Sequence, residues 1–198
     1  MWTSVHPGRG HAEQACVVWP IDGDPVAMIE ADIPVPTARW EFRTSGLWVE
    51  QVCEAPHEHW SYGLEAFALE IDSPTELIRT GYGTRVPMGW ELDFTALSPS
   101  RWLLVGADPL ERAGAYTQRG ELSGLLLDGD GEHPTSALAQ RWHWWGTKPL
   151  TSAGIELART GVSNQAYEEL HLPLSQGPVV VSRTPTGLRL SAVETLAP

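Results

Sequence analysis

The densest run of chemically capable side chains is Gln140-Arg141-Trp142-His143-Trp144-Trp145-Gly146. On a strand, alternate side chains take opposite faces. Arg141, His143 and Trp145 then share one face, and Gln140, Trp142 and Trp144 the other. An imidazole between a guanidinium and an aromatic ring can polarise a bound oxygen or shuttle a proton. The same residues also suit a plainer arrangement, a histidine hydrogen-bonded inside an aromatic core. A second run is Tyr116-Thr117-Gln118-Arg119-Gly120-Glu121. As a strand it points Tyr116 and Gln118 one way and Thr117, Arg119 and Glu121 the other. Either face offers hydrogen-bonding groups to a ligand at a barrel mouth, and a solvated strand accounts for the pattern equally well.

Metal chemistry finds less support. His57 and His59, beside Cys53, would lie on one strand face as a pair of zinc ligands. A structural zinc needs four ligands and a catalytic one three from the protein, and no second close pair is present. Asp128-Gly129-Asp130-Gly131-Glu132 has the look of a calcium loop but lacks its later ligands, so it reads as a polar turn. There is no GxSxG, GxxxxGK[ST], HExxH or helix-opening GxGxxG. Neither a metal nor a nucleotide cofactor is expected.

The elements that would position these residues are short and apolar, with turn residues between them. Ala15–Trp19 runs into Pro20-Ile21-Asp22-Gly23-Asp24-Pro25, a turn signal, and Val26–Ala31 resumes as a strand. Arg39–Arg43 alternates, Thr44-Ser45-Gly46 breaks it, and Leu47–Val52 completes a hairpin. His59–Ile71 is long but puts apolar residues on both parities, which a bulge near Gly63 or Ala66 would reconcile. Gly89–Phe94 alternates cleanly and Arg101–Val105 is a short apolar strand. Leu122–Leu127 enters a hairpin turn at Asp128–Gly131. Val179–Ser182 and Leu188–Val193 form a last pair. Helical periodicity is weak, with a turn or two allowed at Asp108–Ala113 and Asn164–Leu170. About ten to twelve strands at short spacing predict an all-β barrel or sandwich.

Composition sets the outer limits. The 198 residues suit one domain able to bury its own core. The formal charge of −12 disfavours nucleic acid, whose binding needs neutralised phosphates, and anionic membrane surfaces. No apolar run is long enough to span a bilayer. The first fourteen residues lack the apolar core of a signal peptide, so a cytoplasmic protein with free Cys16 and Cys53 is expected. Twelve of its thirteen basic residues are Arg and one is Lys148, which suggests a GC-rich bacterial genome.

Tyr116, Gln118, Gly120 and Gly124, then the Asp128-Gly129 turn, then Arg141-Trp142-His143-Trp144-Trp145-Gly146, together resemble a known family. It is the AttH-like group related to carotenoid 1,2-hydratase, whose motifs read Y-x-Q-x-G-x-x-x-G, Asp-Gly and Q-R-D-H-x-W-G. Trp90–Leu97 and Gly46–Glu50, followed by Pro56 and Trp60, fit its earlier strands. The similarity runs from about Trp40 to Gly146. One position departs: Trp142 stands where the family often has Asp, so an acidic role there has no bearer.

The resemblance implies a lipocalin-like antiparallel β-barrel, or two packed barrel-like halves dividing near residues 98–114, within one domain over residues 1–198. It also implies an apolar cavity for an isoprenoid, steroid, polyketide or fatty-acyl ligand, and cofactor-free olefin hydration, cyclisation or isomerisation. His143 and Glu121 would then be the proton donor or base. Arg141 would bind an oxygen, Tyr116 and Gln118 would orient the ligand, and Trp145 and Trp90 would line the cavity. A carrier of lipophilic molecules without chemistry is the alternative, favoured by the missing Asp. A module whose interior is filled by its own side chains is the third.

Overall fold

The computed structural model describes residues 1–20, 23–71, 83–105, 114–129, 131–146, 168–172, 179–184 and 187–192. The chain is all-β. Its strands in order are β1 (Trp2–His6), β2 (His11–Val18), β3 (Val26–Pro34), β4 (Glu41–Thr44), β5 (Leu47–Ala55), β6 (His59–Glu70) and β7 (Thr84–Ala96). They continue with β8 (Arg101–Val105), β9 (Gly114–Asp128), β10 (Gly131–Trp145), β11 (Glu168–Leu172), β12 (Val179–Thr184) and β13 (Gly187–Ala192). A three-residue 3₁₀ turn, Pro7–Arg9, is the one helical element among the described residues. None of them forms a helix long and apolar enough to cross a membrane.

Strands β1 to β10 form one antiparallel sheet in the order β1-β2-β3-β6-β7-β9-β10. Strand β5 pairs with β6 and carries β4, and β8 pairs with the start of β9. Strands β11, β12 and β13 make a separate three-stranded sheet. The large sheet curls without closing. Its two edge strands meet through side chains, Trp2 of β1 against Trp144 of β10 with ring centroids 4.7 Å apart, and no hydrogen-bonded ladder joins them. The architecture is barrel-like but open. Inside it a polar chain ties β1 to β5: Gln51 Nε2 donates to Thr3 Oγ1, which donates to the buried Gln14.

The interior face follows from strand parity. Leu64, Ala66 and Ala68 of β6 pack with Met88 and Trp90 of β7, Leu47 and Val49 of β5, Phe42 of β4 and Met28 of β3. The reverse face also holds apolar residues. Ala15, Trp19, Ala27 and Ile71 form a second cluster, joined by Trp2, Val17, Ile29 and Leu69. That cluster explains the double parity of His59–Ile71. The expected bulge near Gly63 or Ala66 does not exist: β6 pairs with β7 residue for residue from His59 to Glu70. Leu69 and Ile71 are apolar because the outer face there is covered, while Phe67 remains exposed.

Two further expectations change. Strand β1 completes a hairpin with β2 that the Gly- and His-containing N-terminus did not announce. The described part of the Asn164–Leu170 helix expectation, Glu168–Leu170, is strand paired with β12. Asp108–Ala113 lies outside the described residues, as does Lys148.

Candidate functional site

The β9–β10 hairpin turns at the Asp128–Gly131 pair, as its composition predicts. Each step outward pairs the next two residues. Gln118 therefore faces Arg141, Tyr116 faces His143 and Gly114 faces Trp145. Cross-strand partners share a face, so the two chemically rich runs of the sequence become one patch on the interior side. The patch fits because Gly114 has no side chain. A Cβ there would run into the Trp145 indole.

Arg141 is the centre. In a flat sheet, β10 and β6 would lie about 14 Å apart, three strand spacings. The curl of the sheet removes that distance. Arg141 Nε donates to Tyr62 Oη of β6 at 3.0 Å, and Nη1 donates to Tyr116 Oη at 2.8 Å. The guanidinium carbon stands 3.8 Å from the centre of the Trp60 ring, close range for a cation over an indole face. On the reverse face, Thr117 donates to the Arg141 carbonyl at 3.0 Å and Gln140 donates to Thr117. The backbone beneath the arginine is thus held from behind.

His143 completes the centre. Its Nδ1 receives Tyr116 Oη at 3.3 Å and Arg141 Nη2 at 3.4 Å. A nitrogen facing two donors is the acceptor, which assigns the neutral ring's proton to Nε2. Burial depresses the His143 pKa below its ordinary value, and neighbouring Arg141 and His57 add to the effect. The imidazole is therefore biased to the neutral form. Burial pushes the Tyr62 hydroxyl pKa up, against the pull of Arg141.

A tight turn, Ala55-Pro56-His57-Glu58, closes one side, with Glu58 N–H donating to Ala55 O. His57 has φ 63°, a left-handed conformation that a non-glycine residue holds only when its surroundings fix it. Three contacts do so. Gln118 Nε2 donates to its carbonyl at 2.6 Å, Ser100 Oγ lies 2.8 Å from its Nδ1, and its ring lies 5.0 Å from that of Tyr116. Beyond His57 lies an open cleft of about 550 Å³, bordered by Glu58, Ala96–Ser100 and Trp102. Trp102 reaches back to Tyr116 and Trp145, with centroids 5.4 and 6.0 Å away. Trp102 is 50% exposed and Trp145 42%, a large apolar area to leave in water.

The structure brings together Tyr116, Gln118, Arg141, His143 and Trp145. It does not bring Glu121 to them. Glu121 is exposed on the opposite face, where Ser136 donates to it. Trp90 shares the interior face but lies in the packed core with Leu64 and Met88. His57 and His59 do not form a ligand pair, since His59 contacts Thr95 and Asp93 instead. No group of three or more metal-ligating side chains occurs among the described residues. The sequence reading missed the site roles of Trp60, Tyr62, His57 and Trp102. Trp60 and Tyr62 share the parity of Leu64, a signal of the interior face but not of proximity to Arg141.

Three side-chain atoms at this end are buried and unpartnered: the Trp60 indole nitrogen, Gln118 Oε1 and, in the strand of Arg141, the Trp142 indole nitrogen. A buried polar group without a partner costs about 1–3 kcal/mol. No protein-family model, no curated protein and no solved structure matches this chain.

Proposed function

We propose that the chain binds a lipophilic small molecule at the open aromatic end of the barrel. The apolar body of the ligand lies across Trp102 and Trp145, and its oxygen meets Arg141. The observation that carries this reading is the exposed pair Trp102 and Trp145, packed around Tyr116, with Trp102 on the border of the cleft. Exposed large aromatics gathered at a concave edge, with a few converging polar groups, are the usual make-up of a small-molecule site. The body of the interior is filled by Phe42, Leu64, Met88 and Phe94. The ligand therefore sits at the mouth and not deep in the barrel.

The test is a tryptophan-fluorescence titration with isoprenoids, steroids and fatty acyl compounds, followed by mass spectrometry of the recovered ligand. The reading expects saturable quenching, recovery of unchanged ligand, and loss of affinity by about tenfold or more in Trp102→Ala/Trp145→Ala, since each buried aromatic face is worth over 1 kcal/mol. Absence of saturable binding across the set would overturn it.

A second reading is favoured by the contact of Tyr116 with His143 inside the reach of Arg141. It is cofactor-independent olefin hydration, cyclisation or isomerisation, in which the imidazolium form of His143 gives a proton to the olefin and the neutral ring so formed takes one back, from the added water in hydration or from the cation in cyclisation and isomerisation. Glu121 has no part in it. Turnover of a bound olefin, lost in both His143→Ala and Tyr116→Phe, would support this reading over simple binding. Ligand recovered unchanged rejects it.

A further inference from the structure

The hydrogen-bond inventory of the site is weighted toward donors, with Gln118 Oε1 the open acceptor against them. Arg141 carries five N–H donors and a full positive charge. Three go to Tyr62 Oη, Tyr116 Oη and His143 Nδ1. Two remain, one on each terminal nitrogen. Trp60 adds a buried N–H with no acceptor, and neutral His143 adds its Nε2–H. Against these surplus donors, no carboxylate lies within ion-pair distance of Arg141 among the described residues. A cation held between an indole and two phenols has lost much of its hydration, and such a charge ordinarily has an anionic partner.

We propose that the missing partner comes with the ligand, and that the ligand is a lipophilic monocarboxylate whose acid group docks on Arg141. This rests on the binding reading above and names its ligand class. A carboxylate has two coplanar oxygens, the number that the two spare guanidinium N–H groups serve. Its single charge also suits the surroundings. The site offers one guanidinium, and the chain around it carries a net charge of −12, which repels polyanions such as nucleoside phosphates. The exposed Trp102 and Trp145 then cover the apolar body. The neutral His143 fits as a donor to the acid group through Nε2.

Matched pairs of acid and alcohol separate this inference from the reading beneath it. The probes are lauric acid and 1-dodecanol, retinoic acid and retinol, and 1-pyrenebutyric acid and 1-pyrenebutanol. Dissociation constants are measured by tryptophan quenching at pH 7.5 on the full chain. In at least one pair the acid is expected to bind about tenfold or more tighter than the alcohol, the scale of one charge-assisted hydrogen bond. The preference should shrink to about twofold or less in Arg141→Gln and survive in part in Arg141→Lys, which keeps a point charge but not the planar fork. If Arg141→Gln does not fold, salt decides in the wild type: the acid preference must fall between 0.05 and 0.5 M NaCl, roughly the range over which screening sets in. Equal binding of acid and alcohol in all pairs overturns the carboxylate inference and leaves the binding reading standing. An acid preference that persists in a folded Arg141→Gln overturns it as well. No binding of either member of any pair overturns both.

Discussion

Replacing Arg141 by Met tests whether the guanidinium organises the aromatic end. Met keeps a flexible apolar chain against Trp60 and removes the charge. The change loses a cation over an indole face at 3.8 Å, worth roughly 0.5–2 kcal/mol. It also loses bonds to Tyr62 Oη and Tyr116 Oη, each about 1.5–3 kcal/mol for a charged donor. Against that stands the cost of keeping a cation away from water, several kcal/mol before relaxation. Residual exposure returns part of the hydration of both phenols. The net expectation is a destabilisation of about 1–3 kcal/mol, or a fall in Tm of about 2–12 °C for a chain of this size. Urea denaturation followed by tryptophan fluorescence measures it. Loss of Arg141 also removes the charge that pulls the Tyr62 pKa down, so that hydroxyl should titrate at still higher pH. A variant as stable as the wild type within about 0.3 kcal/mol, with an unchanged near-UV spectrum, would refute the packed arrangement, because surface changes fall within that range.

Three further outcomes follow from local geometry. Gly114→Ala places a methyl group into the Trp145 indole, so Trp145 should swing out and ligand quenching should weaken with the fold retained; unchanged ligand affinity would speak against Trp145 as a ligand surface. Cys16 is buried in the core and its thiol is pushed up to about 11, whereas Cys53 is exposed; a thiol reagent at pH 8 should therefore label one cysteine in the native chain and two in urea. The folded state lowers the His143 pKa, so its contribution is present above the unfolded value of about 6.5 and is lost as pH falls through the folded one. The stability of the wild type relative to His143→Gln should therefore decline from pH 7.5 to pH 5, and a difference that rises or stays flat would contradict the assignment.

Much of the local structure was legible because it depends on parity and turns. The alternation in Gly89–Phe94, the short run Arg101–Val105 and the Asp128–Gly131 turn all became strands or a hairpin where their residues predicted. The shared face of Arg141, His143 and Trp145 is likewise a property of one strand. Glu121 was separable on the same ground, since it has the opposite parity to Tyr116 and Gln118 within β9. The contact of Arg141 with Tyr62 and Trp60 was not legible. It spans about eighty residues and depends on the curl of the sheet, which no local pattern encodes. The second apolar face of β6 was misread for a related reason. A strand covered on both sides loses the alternation by which faces are recognised.

The proposed ligand site is the Arg141-centred aromatic end. Indole N–H resonances of the ten tryptophans report on it site by site in a proton–nitrogen correlation spectrum, each assigned by a Trp→Phe variant. On titration with the tightest-binding carboxylic acid, the signals of Trp60, Trp102 and Trp145 should move together and saturate. Those of Trp40 and Trp48, on and beside the β4–β5 hairpin, should stay. Saturable shifts at Trp40 or Trp48 with Trp60, Trp102 and Trp145 unmoved would place the ligand away from Arg141.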